Sequence, residues 1–175
     1  MSLFSIPTGI AAGQRVRGSD LAAIASATAY LLAPPVAQLY HTSAQAIPNN
    51  TWTALLFGTE LVDSAGAHDT STNTSRYTAV YAGTYLVHGR YTYAASATGF
   101  RGVRLAKNGT SLDYTLSYGG TPTASLTQSV QTQGLVVLAV GDYVEVQVMQ
   151  TSGGNLNTDT SNSAYPSMAL RWISD

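Results

Sequence analysis

The three histidines are the residues of this sequence best suited to acid–base or metal chemistry. They stand at His41, His68 and His88, and no two of them have the spacing that places two metal ligands on one helix face. His68 is followed by Asp69, a pair that suits a cation site or a catalytic site. The alternative is an ordinary solvated loop, and the sequence favours that interpretation.

The aspartates and serines give no stronger signal of a reactive site. Five of the aspartates invite a calcium interpretation, but they form no Asp-x-Asp-x-Asp loop, and aspartates commonly shape turns. They are Asp63, Asp69, Asp113, Asp142 and Asp159. No Gly-x-Ser-x-Gly elbow occurs, and no two carboxylates are paired as glycoside hydrolysis requires. We predict a protein that is not an enzyme, with no catalytic residue, metal-ligand set or cofactor, and the sequence leaves calcium binding undecided.

Composition excludes several classes of partner. The 175 residues carry a net charge of −1 and only 10% are charged, which argues against binding to nucleic acid or to an anionic membrane. The absence of cysteine excludes a disulfide framework and favours a chain that folds inside a reducing cell. Eleven tyrosines against three phenylalanines supply amphipathic rings, which suit interfaces.

Residues 1–35 are predicted to form an anchoring arm with one short helix. Ser19 is the expected N-cap, and Asp20 suits the positive end of the helix dipole. The helix is expected over 21–33, where Pro34 and Pro35 stop it. This run is too short and too weakly apolar for a membrane span. It is rich in alanine, serine and threonine, sits late in the chain and ends in two prolines, which argues against a signal peptide. Because so short a helix is marginal alone in water, we predict that the arm docks on sister chains or on a larger assembly.

Residues 36–175 have the pattern of an all-β domain. Short alternating segments are separated by turn signals about every ten residues, as in a sandwich or jelly roll. The predicted strands cover 36–42, 51–61, 76–80, 83–93, 101–107, 111–118, 124–140, 143–150 and 167–173. The predicted core aromatics are Trp52, Phe57, Tyr85 and Trp172.

Two of these strands have a second face that is too polar for the core. That face also carries more large and chemically varied side chains than a face that meets only solvent usually does. In strand 143–150 the valines at every second position point to one side and fill the core. The opposite face of that strand carries Tyr143, Glu145, Gln147 and Met149. The corresponding face of strand 83–93 carries Leu86, His88 and Arg90. Such faces suggest a sheet that meets another protein surface.

The order of the sequence landmarks resembles that of the C1q/TNF-like jelly rolls. The matching residues are Ile47-Pro48, Phe57, His68-Asp69, Tyr77-Thr78-Ala79, Gly83 and Tyr85, Asn108-Gly109, Gly141-Asp142, and Tyr165 before the last strand. One departure is Tyr77, where the family usually has phenylalanine. The resemblance implies an antiparallel sandwich that assembles as a homotrimer. It also implies that the two polar-faced strands are neighbours in an inner sheet around the threefold axis, so that the seven residues above build the trimer interface. Because Arg90 and Glu145 would both lose water there, we expect the two charges to pair, within one chain or across the interface.

A second resemblance concerns residues 13–21, which are similar to the short arms that precede small domains in phage virion proteins. It predicts a non-enzymatic trimeric structural protein of a bacteriophage particle, such as a decoration protein, fibre or tail protein, made in the host cytoplasm. The arm, residues 1–35, would dock it to other virion proteins. The alternative is an adhesion module for carbohydrates or receptors on the virion or a cell surface. Its loops 65–75 and 153–164 would then touch cell-surface glycans.

Overall fold

The architecture is that of a two-sheet sandwich with a helix at its N-terminal side. The structure is a computed structural model and describes residues 15–119, 127–161 and 164–174. The described residues form one helix and twelve strands, all paired antiparallel. The strands are β1 (Val36–Tyr40), β2 (Ala46–Ile47), β3 (Thr53–Ala54), β4 (Thr59–Asp63), β5 (Arg76–Thr78), β6 (Gly83–Tyr93), β7 (Arg101–Lys107), β8 (Thr110–Tyr118), β9 (Gln128–Leu138), β10 (Tyr143–Gln150), β11 (Leu156–Asn157) and β12 (Ser167–Ser174).

Helix α1 spans Gly18–Leu32 and buries none of its residues. Its N-cap is Arg17, so the prediction of Ser19 was wrong. The Asp20 carboxylate accepts a hydrogen bond from the Arg17 backbone N–H at 3.0 Å, which satisfies that amide and fixes the start of the helix two residues earlier. The helix ends just before Pro34, as the prolines predict.

The strands divide between two main sheets. The first sheet has the order β4-β1-β12-β6-β9. The second has the order β3-β10-β7-β8, with β5 also paired to β10. Strands β2 and β11 form a separate small pair. The segment predicted as one strand over 51–61 is therefore split, and its two halves belong to different sheets.

The core lies between the two sheets and is filled by alternate side chains from each. Val144, Val146 and Val148 are fully buried, as the alternation in β10 predicts. Phe57 and Tyr85 are also fully buried, and Trp172 is 4% exposed, so these core predictions are confirmed.

Trp52 was wrongly placed in the core. It precedes the two-residue strand β3 at the edge of the second sheet and is only half-buried. Its ring lies 4.0 Å from the Arg104 guanidinium. Because the predicted long strand is broken here, the alternation that would have turned this ring inward does not hold.

The turn at Asn108-Gly109 and the turn at Gly141-Asp142 are hydrogen-bonded to each other at one end of the sandwich. Asn108 and Gly109 have φ of +50° and +79° and join β7 to β8 in a two-residue hairpin turn. The Asp142 carboxylate accepts hydrogen bonds from Lys107 Nζ and Asn108 Nδ2, both at 2.7 Å. The bonds from Lys107, Asn108 and the Ala139 N–H lower the pKa of Asp142 to about 2.

Candidate functional site

The outer face of the first sheet brings together side chains from four of its strands, β1, β12, β6 and β9. Its side chains form rows across the strands, because register fixes which residues lie opposite each other. One row consists of Val36, Arg171, Leu86 and Leu135. The next consists of Gln38, Ala169, His88 and Gln133, and a third of Tyr40, Ser167, Arg90 and Gln131. We call this surface the first-sheet face.

One end of the first-sheet face is apolar. Leu86 is 43% exposed, Leu135 is 55% exposed and Val137 is 66% exposed. Ile173 adds a further exposed side chain near the end of β12. Leu86 and Leu135 lie directly opposite each other in β6 and β9. These side chains therefore form a contiguous patch, in contrast to the scattered apolar residues that are normal on a protein surface.

The other end of the first-sheet face is polar. His88 Nε2 lies 3.3 Å from Gln131 Oε1. The Arg90 guanidinium donates to Ser129 Oγ from both Nε and Nη2 at 3.3 Å. In the described part of the chain, Arg90 has no carboxylate partner. Three predicted site residues, Leu86, His88 and Arg90, therefore share one surface.

The other four predicted site residues do not share that surface. Tyr143, Glu145, Gln147 and Met149 belong to β10, which lies in the second sheet, whereas β6 lies in the first. The prediction that the two strands are neighbours in one sheet was wrong. Both strands alternate in the same way and follow glycine turns, so their sequences give no indication that they lie on opposite sides of the core.

The expected pairing of Glu145 with Arg90 was also wrong. Glu145 is 6% exposed, and its Oε1 lies 3.2 Å from Arg76 Nε. Ser75 Oγ donates to the same oxygen at 2.7 Å. The Arg76 guanidinium also lies 4.0 Å from the centre of the Tyr143 ring. The carboxylate is thus satisfied within its own chain, by residues from β5 and the residue preceding it.

A second cluster lies further along the outer side of the second sheet. Arg104 Nε donates to Gln147 Oε1 at 3.0 Å, and the Arg104 guanidinium stacks on Trp52. Gly102 lies beside Trp52 and Tyr118, since a Cβ there would come within 3.1–3.3 Å of both rings. Tyr118 in turn packs edge-on against Phe100, with ring centres 5.3 Å apart. This side therefore carries an aromatic cluster with a guanidinium and an amide at its edge.

His41 and His68 are held by hydrogen bonds within the fold. His41 is buried, with Nδ1 2.8 Å from the Leu56 carbonyl and Nε2 2.9 Å from Thr158 Oγ1. His68 lies between two backbone carbonyls, those of Arg76 and Phe57, at 2.8 and 2.9 Å. Both rings are held by neutral hydrogen-bonding groups, an arrangement that ties the loops on which they lie to neighbouring segments.

Asp63, Asp69 and Asp159 accept hydrogen bonds from backbone N–H groups within five residues, as the turn interpretation predicts for them. Asp113 lies instead within β8. Asp63 accepts from the backbone N–H groups of Ala65, Ala67 and His68. Asp69 accepts from Ser71 and Thr72, and Asp159 from Ser161 and Thr127. Within the described ranges, no three metal-ligating side chains come together. In the same ranges, no helix is both long enough and apolar enough to cross a bilayer.

Arg101 is a buried cation that sequence reasoning missed. Its side chain is fully buried, and Nη1 donates to the carbonyls of Thr98 and Phe100 at 3.0 Å. The guanidinium also lies 4.9 Å from the Tyr93 ring. The only signal in the sequence is an arginine at an otherwise inward position of a strand, which the pattern alone cannot distinguish from an edge residue.

Comparison with solved structures shows the same fold in proteins of very different sequence. The globular domain of the zebrafish complement 1qA protein is 15% identical, with a TM-score of 0.59 over 79% of this chain and 97% of that one. Murine APRIL is 12% identical, with a TM-score of 0.57 over 78% and 98% of the two chains. Eiger TNF from S. frugiperda is 17% identical, with a TM-score of 0.57 over 81% and 94%. No protein-family model matches the sequence, and a search of curated proteins finds no match. The predicted C1q/TNF-like jelly roll with a short N-terminal helix is confirmed.

Proposed function

We propose that this chain is a non-enzymatic structural protein that assembles as a homotrimer through the first-sheet face. The observation that carries the proposal is the apolar end of that face, where Leu86, Leu135 and Val137 are 43–66% exposed. Exposed contiguous apolar area favours association, because burying it removes it from water. The shared fold with the complement and TNF-type structures supports a closed threefold assembly.

The polar end of the first-sheet face would supply specificity in this assembly. His88, Arg90 and Gln131 are polar side chains of this face; His88 contacts Gln131, and Arg90 donates to Ser129. Such groups fix the register of an interface while the apolar centre supplies most of the affinity. Arg90 would then meet a partner group on a neighbouring chain, and Glu145 would play no part in the contact.

Surface variants test which face carries the trimer. Leu135→Glu and Val137→Glu would each place a carboxylate in the apolar centre, where an unpaired charge is strongly unfavourable. Leu56→Glu is a matched control, since Leu56 is 48% exposed but lies outside the first sheet. Light scattering should find the first two variants monomeric and folded, and the control trimeric. If all three variants retain the mass of the unmodified chain, the first-sheet face is not the interface.

The arm would attach this trimer to a larger particle. This part of the proposal, including a location on a phage virion, rests on the sequence resemblance of residues 13–21. Removal of residues 1–33 should leave a cooperatively folded β domain that no longer joins the particle. The deletion must stop before Pro35, because the Pro35 carbonyl accepts a hydrogen bond from the Trp172 N–H at 2.9 Å.

A second candidate function is recognition of a cell-surface glycan on the outer side of the second sheet. The observation that favours it is the aromatic cluster around Gly102, in which Phe100 is 40% exposed and Tyr118 is 55% exposed. Aromatic rings beside polar donors suit the mixed apolar and hydroxyl surface of a sugar. A glycan array with the full chain tests this function. Binding that is lost in Tyr118→Ala and kept in Tyr114→Ala would support it, and an array without any signal would refute it.

A further inference from the structure

Helix α1 has two distinct faces, and its own jelly roll occupies only one of them. Ala23, Ala27 and Tyr30 are half-buried, and their spacing places them on one side of the helix. The Tyr30 ring packs edge-on against Tyr81 and Trp172, with ring centres 5.2 and 6.0 Å away. This side therefore fixes the helix against the end of the first sheet.

The neighbouring face of α1 is apolar and exposed. Leu21 is 60% exposed, Ile24 is 43% exposed and Leu31 is 74% exposed. With Thr28 between them, these residues follow the spacing of the two seam positions in a coiled-coil heptad. Thr28 Oγ1 donates to the Ile24 carbonyl at 2.8 Å, so its hydroxyl is satisfied within the helix and its methyl group is free to face an apolar seam.

We propose that the α1 helices of three copies pack along this seam as a parallel three-helix bundle on the threefold axis. The seam residues are Leu21, Ile24, Thr28 and Leu31. The proposal rests on the homotrimer of the proposed function and adds a second contact to it. It also identifies sister chains as the partner of this helix, leaving the residues before α1 to reach other proteins.

The seam is continuous with the apolar end of the first-sheet face. Leu31 and Pro34 line the same groove as Leu86 and Ile173. A trimer axis that runs along the first-sheet face would therefore bring the three Leu31 side chains towards one another. Only three residues, 33–35, separate α1 from β1, so the helix cannot move far from that axis.

Tethering explains how so short a helix could associate. A 15-residue helix is marginal in isolation, and two heptads would not hold free peptides together. Three copies attached to one trimer have a high effective concentration, which favours their association without any new contact. Charge does not oppose it, because Asp20 is the only charged residue within the helix and it caps the N-terminus.

The absence of cysteine from the chain allows a direct test with the full-length protein. A Thr28→Cys variant places one thiol at a seam position, and Ser26→Cys places one on the opposite, solvent-facing side as a matched control. Under mild oxidation, Thr28→Cys should form disulfide-linked dimers at least about tenfold faster than the control. Because three chains share one axis, the linked fraction should level off near about two thirds of the chains.

The outcomes separate this inference from the trimer itself. If the unmodified chain is trimeric and Thr28→Cys cross-links no faster than Ser26→Cys, the helix bundle is refuted and the trimer remains. If the unmodified chain is monomeric, both proposals fall. An Ile24→Asp variant gives a second measurement that does not depend on thiol geometry. It should remain trimeric through the first-sheet face but dissociate at a higher protein concentration than Ser26→Asp, and equal behaviour of the two variants would contradict the bundle.

Discussion

Arg90 and Glu145 show how charged residues with similar sequence contexts come to differ in role. Both lie on alternating strands, on the face away from the core. Glu145 is nevertheless 6% exposed because Ser75 and Arg76 cover it. Arg90, in contrast, is half-exposed, and among the described residues it donates to the Ser129 hydroxyl alone. Glu145 therefore stabilises the fold of a single chain, whereas Arg90 lies on a surface that is available for contact.

Replacing Glu145 by glutamine should lower stability without changing the oligomeric state. The neutral amide keeps one acceptor for Ser75 but loses the charge-assisted contact with Arg76, which is partly exposed. We expect a loss of about 1–2 kcal/mol in the free energy of unfolding. Glu60→Gln is the matched control, since Glu60 is exposed. Urea unfolding at one fixed protein concentration measures both, and equal midpoints would show that the Glu145 contacts contribute nothing.

His41 should make stability depend on pH. Burial lowers the pKa of His41 below its ordinary value, and the hydrogen bond to Leu56 opposes this only in part. The unfolded chain therefore binds the proton more readily than the folded chain. The contribution of His41 to stability is fully present above about pH 6.5, the ordinary pKa of histidine in an unfolded chain. As the pH falls below that value, the free energy of unfolding decreases by up to about 1.4 kcal/mol per pH unit, until the lower pKa of His41 in the folded chain is reached.

Urea midpoints measured between pH 8 and pH 5 test this dependence. His41→Gln, if it folds, should show a smaller decrease over that range than the unmodified chain. A midpoint that stays constant for the unmodified chain would mean that His41 protonates as readily in the folded state as in the unfolded state.

At the scale of elements, the sequence predicted where most strands occur. It did not predict to which of the two sheets each strand belongs. The pattern of β6, with Tyr85 and Val87 inward, was predicted because alternation and a preceding glycine are local signals. The assignment of β10 to the second sheet depends on which strands pair across long separations, which alternation does not encode. For the same reason, the seven interface residues predicted to share one surface are divided between the two sheets. Leu86, His88 and Arg90 lie on the first-sheet face, but the residues that complete it, such as Leu135 and Val137, come from β9.

The close approach of the two sheets at Gly89 gives a test at this scale. A Cβ at Gly89 would lie 2.8–2.9 Å from the two methyl groups of Val146 and 3.0 Å from Thr132. Because these branched side chains are stiff, Gly89→Ala should force the sheets apart and cost about 1–3 kcal/mol. Gly58→Ala is the control, since a Cβ there meets no atom within 4 Å. Thermal unfolding of both variants checks this, and an unchanged melting temperature for Gly89→Ala would mean that the sheets are less tightly packed.

At the scale of the whole molecule, the fold leaves two apolar surfaces exposed at the same end. The first-sheet face carries Leu86 and Leu135, and α1 carries Ile24 and Leu31. Both would be covered by a single threefold assembly, the first by the jelly rolls and the second by the helices. This shared location connects the proposed function to the helix bundle and makes oligomeric state the central claim.

Sedimentation equilibrium of the unmodified full-length chain tests that claim most directly. At micromolar concentration we expect a single species of about 55 kDa, three times the 18.3 kDa of one chain, as a closed cyclic assembly requires. That mass should not increase further with concentration, because a closed ring leaves no free interface. A mass of one chain at the same concentration, or a mass that keeps rising as concentration increases, would contradict the account.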